Sequence, residues 1–387
     1  MLANIIAALD PGRYEPIVVT PPGDVVEQFE AAGAAVAIAP RRLHEFFHTS
    51  LSSKFVLHPL FVRNLLGITK DRRFWRRYIR DSGTDLVHLD SITLAPMALS
   101  VQRSERKVVC LVQETAVQGS LGVRTRWLSR LLNVHCDVSI FISDFDKAAL
   151  KGPEDAPVIP NWVDFREFDR AISQCESRER LRLDRRHKVV LFMGGISEIK
   201  GTIPLLEACR HLGDIDNLVI LLAGYAHQND EQCLPWVQRG YLKAKRYFRQ
   251  SYFDQAAELL RDAQLAKRVR VLGMVKDVVP LYAAADVVVF PAARPHQARP
   301  VLEAGAMAKP VVVTEWPQLA ECVMDRVTGL TVKPGDDLAL AGAVRELLEQ
   351  PARARAYGMN NFQLAYSRHN RDRNAPRFTG IYDRLLC

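Results

Sequence analysis

A short polar loop between two apolar runs carries the residue types of a nucleotide or anion site. Residues 286–292 (DVVVFPA) are predicted to form a buried parallel strand, and residues 301–308 a helix. Glu303 then lies in the first turn of that helix, and Arg299 lies just before it. Helix N-terminal N–H groups and strand carboxyl ends gather ligands in α/β sheets, so this loop is a candidate ligand edge.

A glycine pair marks a second candidate edge. Gly194 and Gly195 follow a predicted strand at 188–193, and Lys200 precedes a predicted helix at 202–212. Glycine lets the backbone approach a phosphate closely, and a lysine before a helix can reach its oxygens. The sequence therefore predicts a phosphate at this turn.

Two earlier strands also end in polar side chains. The segment 85–90 (DLVHLD) contains His88, and the segment 107–114 (KVVCLVQE) ends in Glu114. Both side chains are expected at the carboxyl edge of a sheet. For His88, a hydrogen-bonded structural histidine is the alternative.

Strands and helices alternate along the 387 residues, which indicates an α/β protein of about two domains. We predict domains at 1–165 and 166–360, a last helix within 361–387 that returns to the first domain, and an exposed charged connector at 165–187. Seven cysteines form neither a CxxC site nor a disulfide framework, which favours a reducing compartment. No apolar run could span a bilayer and no leader is visible, so a cytoplasmic protein is expected.

Four stretches resemble the donor-binding half of retaining glycosyltransferases of family 4. They begin at positions 157, 191, 268 and 299 and read PVIPNWVD, LFMGGISEIKG, RVRVLGMVKDVVPLYAAADVVVFPA and RPVLEAGAMAKPVVVTEWPQLAECVMDRVTGLTVKPGD. The resemblance implies the GT-B fold, in which two Rossmann-like, doubly wound domains face a central cleft. It also implies a hexosyltransferase-type enzyme that moves a sugar from a nucleotide-diphosphate donor with retention of configuration.

The resemblance assigns roles to residues of this sequence. Glu303 would accept hydrogen bonds from ribose hydroxyls, while Lys200 and Arg299 would face the diphosphate; Arg299 could equally pair with a structural carboxylate. Glu114 or His88 would orient the acceptor hydroxyl or stabilise positive charge at the sugar carbon. The remaining expected nucleotide-sugar contacts are Gly194, Gly195, Met274, Val275, His296, Gln297, Ala298 and Leu302. No metal and no cofactor are expected, and the donor would be a UDP-, GDP- or ADP-sugar.

Three departures from the family pattern leave alternatives open. Pro295 stands where the family has a glutamate eight positions before Glu303, and Gly195 stands where it commonly has an arginine. The opening strand and its glycine-rich turn are also missing, so an upstream start codon is hypothesised. Two other functions are therefore left open. One is a catalytically weakened or silent nucleotide-sugar-binding protein that serves as a partner subunit, and the other is a sugar-nucleotide epimerase of the same fold.

The formal net charge of +8 favours anionic partners. Residues 70–80 interleave arginines with aromatic side chains, which is typical of a basic amphipathic helix at an anionic membrane surface; a solvated helix face is the alternative. No nucleic-acid module accompanies the charge. The expected acceptor is a glycan or a lipid-linked glycan of envelope polysaccharide synthesis, and the expected place is the cytoplasm or the inner membrane face.

Overall fold

The chain divides into two compact units. The first combines residues 1–162 with 369–387, and the second is 163–368. The second boundary lies eight residues beyond the predicted 360, since the helix that crosses this position continues to Arg368. The computed structural model describes residues 1–23, 25–39, 59–101, 106–115, 122–224, 251–295 and 297–387.

In the described part of the first unit, five strands form two separate parallel sheets. β1 and β2 pair with each other, and β3, β4 and β5 pair in that order. The strands are β1 Ile17–Thr20, β2 Ala35–Ile38, β3 Leu86–Leu89, β4 Lys107–Val112 and β5 Val138–Phe141. The helices are α1 Leu2–Ile6, α2 Val25–Ala31, α3 Pro59–Asp81, α4 Ala98–Val101, α5 Val123–His135 and α6 Asp144–Ala149, with a 3-10 helix at Ile92–Met97.

Within the residues that the structure describes, the strands of the second unit form one six-stranded parallel sheet. Its strands are β6 Lys188–Phe192, β7 Leu218–Ala223, β8 Val269–Gly273, β9 Val287–Phe290, β10 Val311–Thr314 and β11 Gly329–Val332. Their order is β11-β10-β9-β6-β7-β8. The helices are α7 Gln174–Arg180, α8 Thr202–Arg210, α9 Ala263–Ala266, α10 Val279–Ala284, α11 Arg299–Ala306, α12 Asp337–Glu349 and α13 Pro351–Arg368; residues 251–261 are also helical.

Apolar side chains cover both faces of this sheet. Successive residues of β6 alternate between two cores: Val189 and Leu191 pack with α10 and α11, and Val190 and Phe192 pack with α8 and α12. Strands buried on both faces read as continuous apolar runs, which is why these strands were predicted from the sequence.

The charged stretch before β6 is not the exposed connector that its composition predicted. It contains α7, and Arg178 of that helix is only 6% exposed. Both terminal oxygens of Asp286 accept hydrogen bonds from Arg178 Nη2 at 2.8 Å. An arginine can be buried when a carboxylate neutralises it, and this carboxylate lies 108 positions away in sequence.

The final helix, α14 (Arg371–Leu386), completes the first unit. Phe378, Ile381 and Tyr382 on this helix are buried in one cluster with Val109 of β4 and Ile140 of β5. Among the described residues, no helix is both long and apolar enough to cross a membrane.

Candidate active site

The turn after β6 is held in one conformation by hydrogen bonds to the backbone of Gly195. Gly195 has φ of +60° and its N–H donates to the Ala223 carbonyl at 2.9 Å. The Thr202 hydroxyl, at the start of α8, donates to the Gly195 carbonyl at 2.7 Å. The predicted glycine pair, Gly194 and Gly195, is therefore a rigid link between the end of β6 and the start of α8.

Lys200 lies in this turn, two residues before α8. Its backbone N–H points to Ser197 Oγ at 3.4 Å, and its ammonium has no acceptor among the described residues. Desolvation lowers the pKa of this lysine because burial disfavours its charged form. A half-buried cation without a carboxylate partner is suited to bind an anion.

Gly201 brings this turn into contact with the end of the neighbouring strand. Its φ is +81°, and a Cβ at this position would lie 1.8 Å from the Pro291 carbonyl oxygen, just after β9. The Lys200 turn and the loop after β9 are therefore adjacent, as the pairing of β6 with β9 requires.

We expect Gly201→Ala to destabilise the second unit by about 3 kcal/mol, from left-handed backbone strain and from displacement of the Pro291 backbone. Gly342→Ala is the matched control. Gly342 lies inside α12 with nothing within 4 Å of an added Cβ, so this change should stabilise the protein by about 0.5–1 kcal/mol. Urea unfolding measures the stability change of each variant. Equal unfolding midpoints for the two variants would contradict the close approach of Gly201 to the Pro291 backbone.

The helix after β9 begins earlier than its sequence pattern predicted. It starts at Arg299 with Pro300 in its first turn, where a proline is tolerated. Glu303 is therefore the fifth helical residue, one turn further along than the predicted first turn. Its carboxylate is not placed to cap the N–H groups of this helix.

Glu303 instead makes two hydrogen bonds inside the unit. Arg299 Nε donates to Oε1 at 2.7 Å, and the Tyr282 hydroxyl donates to Oε2 at 2.6 Å. The Glu303 side chain is 8% exposed and that of Arg299 is 54% exposed. Because each carboxylate oxygen can accept two hydrogen bonds, both oxygens keep acceptor capacity for a ligand.

Tyr282 is a part of this site that sequence analysis missed. It is fully buried in α10, and burial, more than the charge of Glu303, raises its pKa well above the usual value. A buried tyrosine hydroxyl usually finds a partner, so a tyrosine in the apolar run VPLYAA was the available signal.

Arg299 lies between two carboxylates. Besides its pair with Glu303, it is close enough to Glu167 to lower the pKa of that carboxyl, although desolvation raises that pKa more. The pairing with Glu303 uses Nε alone, and the two terminal nitrogens of Arg299 have no hydrogen-bond acceptor in the described parts of the chain. Both alternatives for Arg299, carboxylate pairing and ligand binding, are therefore compatible with this geometry.

The other predicted nucleotide-sugar residues differ in what they can offer. Ala298 and Leu302 are buried in the core, so only their backbone groups are available. Met274 is 74% exposed, and Val275 follows it after the end of β8. Gln297 is half-buried and has a contact of its own. His296 lies outside the described residues.

Two further side chains lie in these loops, although the sequence predicts no individual role for them. Arg294, after β9, pairs with Glu198 of the Lys200 turn at 2.7 Å, so an ion pair also joins the two loops. Gln318, after β10, is 1% exposed, and both polar atoms of its amide lack a hydrogen-bond partner within the described ranges. Such a group is expected to take up an ordered water or a ligand atom.

In the first unit, Glu114 holds the start of the 3-10 helix. Ser91 Oγ donates to its Oε1 at 2.5 Å, and the Ile92 N–H donates to its Oε2 at 3.1 Å. Glu114 does lie beyond the carboxyl end of β4, as predicted, with its carboxylate already engaged.

His88 is covered by α14 instead of lying open at the strand edge. Its Nδ1 is 2.6 Å from the Tyr382 hydroxyl, and its ring is 5.8 Å from that of Phe378. Its Nε2 lies 3.4 Å from Asp90 Oδ1. These contacts favour the alternative given for His88, a hydrogen-bonded structural histidine, because α14 packs on the face of β3 from which this side chain projects.

One comparison bears directly on this loop geometry. Residues 173–363 match the family of glycosyl transferases group 1. The matched stretch is just under half of the chain and lies wholly within the second unit. Lys200, Glu303 and Tyr282, which bonds Glu303, all lie in this matched region.

Two curated relatives are similar over part of their length. A D-inositol 3-phosphate glycosyltransferase of Kineococcus radiotolerans is 30% identical over 221 residues, 53% of this chain and 46% of the relative. An uncharacterized glycosyltransferase of Methanocaldococcus jannaschii is 27% identical over 237 residues, 59% of this chain and 54% of the relative. The chain spans about half the length of these relatives.

Solved structures match nearly the whole chain. Anabaena Alr3699/HepE, in complex with UDP-glucose, has a TM-score of 0.74 and 20% identity and covers 99% of this chain and 94% of its own. A glycosyltransferase from Rickettsia africae has a TM-score of 0.72 and 17% identity, and the match covers 100% of this chain and 94% of that structure's chain. Sucrose-phosphate synthase from Thermosynechococcus elongatus has a TM-score of 0.68 and 19% identity, and the match covers 96% of this chain and 99% of that one. These likenesses confirm the predicted fold class: two Rossmann-like α/β domains of the GT-B type.

Proposed function

We propose that this protein is a hexosyltransferase that moves a sugar from a nucleoside-diphosphate sugar to a glycan or lipid-linked acceptor with retention of configuration. The observation that carries the proposal is the contact between two loops of the second unit. One loop holds Lys200, a half-buried cation without a carboxylate partner among the described residues, and the other leads to Glu303, a buried carboxylate with acceptor capacity to spare. A nucleoside diphosphate presents the complementary groups, an anionic diphosphate and ribose hydroxyls.

The proposed chemistry follows from these charges. Lys200, the positive end of the α8 dipole and the terminal nitrogens of Arg299 would stabilise the negative charge that develops on the departing diphosphate. Glu303 would fix the ribose. We assign no protein nucleophile, no metal and no cofactor, and the acceptor hydroxyl would attack from the face that the diphosphate leaves. Glu114 is the proposed acceptor-side group. His88 is proposed to hold β3 in place, because Ser91 and Ile92 just after that strand bond Glu114, and not to touch the sugar.

Turnover of a panel of UDP-, GDP- and ADP-sugars by the purified protein tests this function. UDP-glucose heads the panel because the similar Anabaena structure holds it. Release of the nucleoside diphosphate together with a new glycoside would support the transferase. Binding without release would favour the partner-subunit alternative, and isomerised donor would favour the epimerase.

Lys200→Gln should weaken binding of the nucleoside diphosphate by about 10- to 100-fold, the value of one hydrogen bond to a charged group. Bound diphosphate would raise the lowered pKa of Lys200, so the wild-type affinity should fall as pH rises through that pKa. The variant should lose this pH dependence. Calorimetry between pH 7 and pH 10 measures both effects. Lys267→Gln, an exposed lysine before β8, is the control, and an equal loss there would contradict the role of Lys200.

We further propose that residues 70–80 contact an anionic membrane surface from the cytoplasmic side. Arg73, Arg77 and Arg80 of α3 are exposed, and Asp81 bonds only the last two. Each surface arginine contributes about 1 kcal/mol to such binding, so Arg73→Gln with Arg77→Gln should reduce co-sedimentation with phosphatidylglycerol vesicles by at least tenfold. Arg384→Gln on α14 is the control, and unchanged sedimentation of the double variant would remove the membrane from the proposal.

A further inference from the structure

Two arginines of α3 have a buried nitrogen on the inward side of the helix. Arg72 and Arg76 are one helical turn apart and share the side of α3 that carries Ile79, which is 4% exposed. The Nε atom of each is buried and has no hydrogen-bond partner among the residues that the structure describes. A buried donor without an acceptor costs about 1–3 kcal/mol, so two such donors on one helix face point to an acceptor that binds there.

His135, the last residue of α5, adds a third unpartnered nitrogen. It follows the buried Leu131 by four positions and Leu128 by seven, which places it on the inward side of its helix. Its Nδ1 is buried and also lacks a hydrogen-bond partner in the described part of the chain. Burial first, then the charges of Arg130 and Arg72, lower the pKa of His135. Arg72 and His135, from different helices, are therefore electrostatic neighbours.

A pocket of about 290 Å³ opens beside His135 at the amino ends of β4 and β5. Asp137, the carboxylate that lines this pocket, is already neutralised because it pairs with Lys107 at 3.1 Å. Arg106 likewise pairs with Asp85 at 3.4 Å. The pocket is lined by Arg106, Lys107, Val108, Val134, His135, Cys136 and Asp137.

We propose that the pocket beside His135 and the inward side of α3, together called the niche, bind a phosphate-bearing ligand. Arg72, Arg76 and His135 would be its hydrogen-bond donors. The oxygens of a phosphate accept several N–H bonds at once, and guanidinium groups match their geometry. The niche lies at the amino edge of the β3–β5 sheet, whereas Glu114 lies beyond the carboxyl end of β4. It is a second anion site, and it does not rest on the proposed transferase activity.

Binding at this niche is coupled to protons. A bound dianion opposes the arginine charges that lower the pKa of His135, so it raises that pKa and the complex takes up a proton. Affinity therefore increases as pH falls through the titration of His135. Arg130 from α5 and Arg72 from α3 act electrostatically on this histidine. Arg106, Lys107, Cys136 and Asp137 line the same pocket, and Arg76 lies one helical turn beyond Arg72 on the same side of α3.

Calorimetry with pyrophosphate tests the niche, using the full chain with Lys200→Gln to remove the proposed nucleotide-sugar site. Binding should persist in Lys200→Gln and should weaken about 10- to 100-fold when Arg76→Gln or His135→Gln is added. His135→Gln should also abolish the increase in affinity at lower pH. Arg384→Gln, at an exposed position of α14, should change nothing.

Two further measurements keep the test decisive. Arg76→Lys, which retains the charge, should restore part of the affinity if Arg76→Gln lowers it by losing a phosphate contact. Binding of inorganic phosphate in solution would identify a soluble ligand, and binding only to phosphatidic acid vesicles would identify a lipid headgroup. Complete loss of binding in Lys200→Gln alone, or equal effects of Arg384→Gln and Arg76→Gln, would overturn the proposal.

Discussion

Glu303→Ala is expected to reduce turnover of the nucleotide sugar by two to three orders of magnitude. If the carboxylate accepts two ribose hydroxyls, its removal costs two hydrogen bonds to a charged group, about 3–4 kcal/mol together. The loss should appear in nucleoside-diphosphate affinity as well as in turnover, because the ribose is present in both. Calorimetry with UDP, GDP and ADP beside product analysis would measure it.

The same substitution also perturbs the folded unit, so a matched variant is needed. Without Glu303, the Tyr282 hydroxyl is left buried without an acceptor, which should destabilise the unit by about 1–3 kcal/mol. Tyr282→Phe removes that hydroxyl but leaves the carboxylate with Arg299. We expect Tyr282→Phe to lower stability by about 1 kcal/mol and to weaken nucleotide binding less than tenfold. Equal losses of nucleotide affinity in the two variants would show that Glu303 acts only through packing.

Phe378→Ala is expected to have the largest effect on stability, about 3–5 kcal/mol. Phe378 is 1% exposed, and its ring contacts those of Trp162 at 6.0 Å, His88 at 5.8 Å and Tyr382 at 5.6 Å. Its loss would leave a cavity where α14 meets the sheet of the first unit. Tryptophan fluorescence during urea unfolding, to which Trp162 contributes together with the four other tryptophans, would report the change.

Arg384→Ala is the control for that experiment. Arg384 is exposed on the same helix, so its replacement should shift stability by less than about 0.5 kcal/mol. Nucleotide binding by the second unit should survive Phe378→Ala at urea concentrations that unfold only the first unit. Coincident loss of both units would show that they unfold as one.

Sequence patterns predicted the regular elements of the second unit well. Strands such as β7 (LVILLA) and β10 (VVVT) are continuous apolar runs because both of their faces are covered. The glycine turn was also predictable, since its chemistry is local: Gly194 and Gly195 come just after β6, and Gly195 has a positive φ.

Contacts between residues far apart in sequence could not be predicted. Tyr282 became a partner of Glu303, and Tyr382 became a partner of His88 across 294 positions. Arg178 was assigned to an exposed connector because its carboxylate, Asp286, is remote in sequence. No periodicity encodes such pairs, because they depend on which helix packs on which strand.

The return of α14 to the first unit has a consequence for synthesis on the ribosome. Residues 163–368 form a continuous unit, which can complete its core as soon as Arg368 has left the exit tunnel. The first unit emerges earlier, but Val109 and Ile140 must wait for Phe378 and Ile381 to cover them. The part of the chain that is made first therefore finishes folding last, and for that interval its uncovered sheet is the segment on which a chaperone would act.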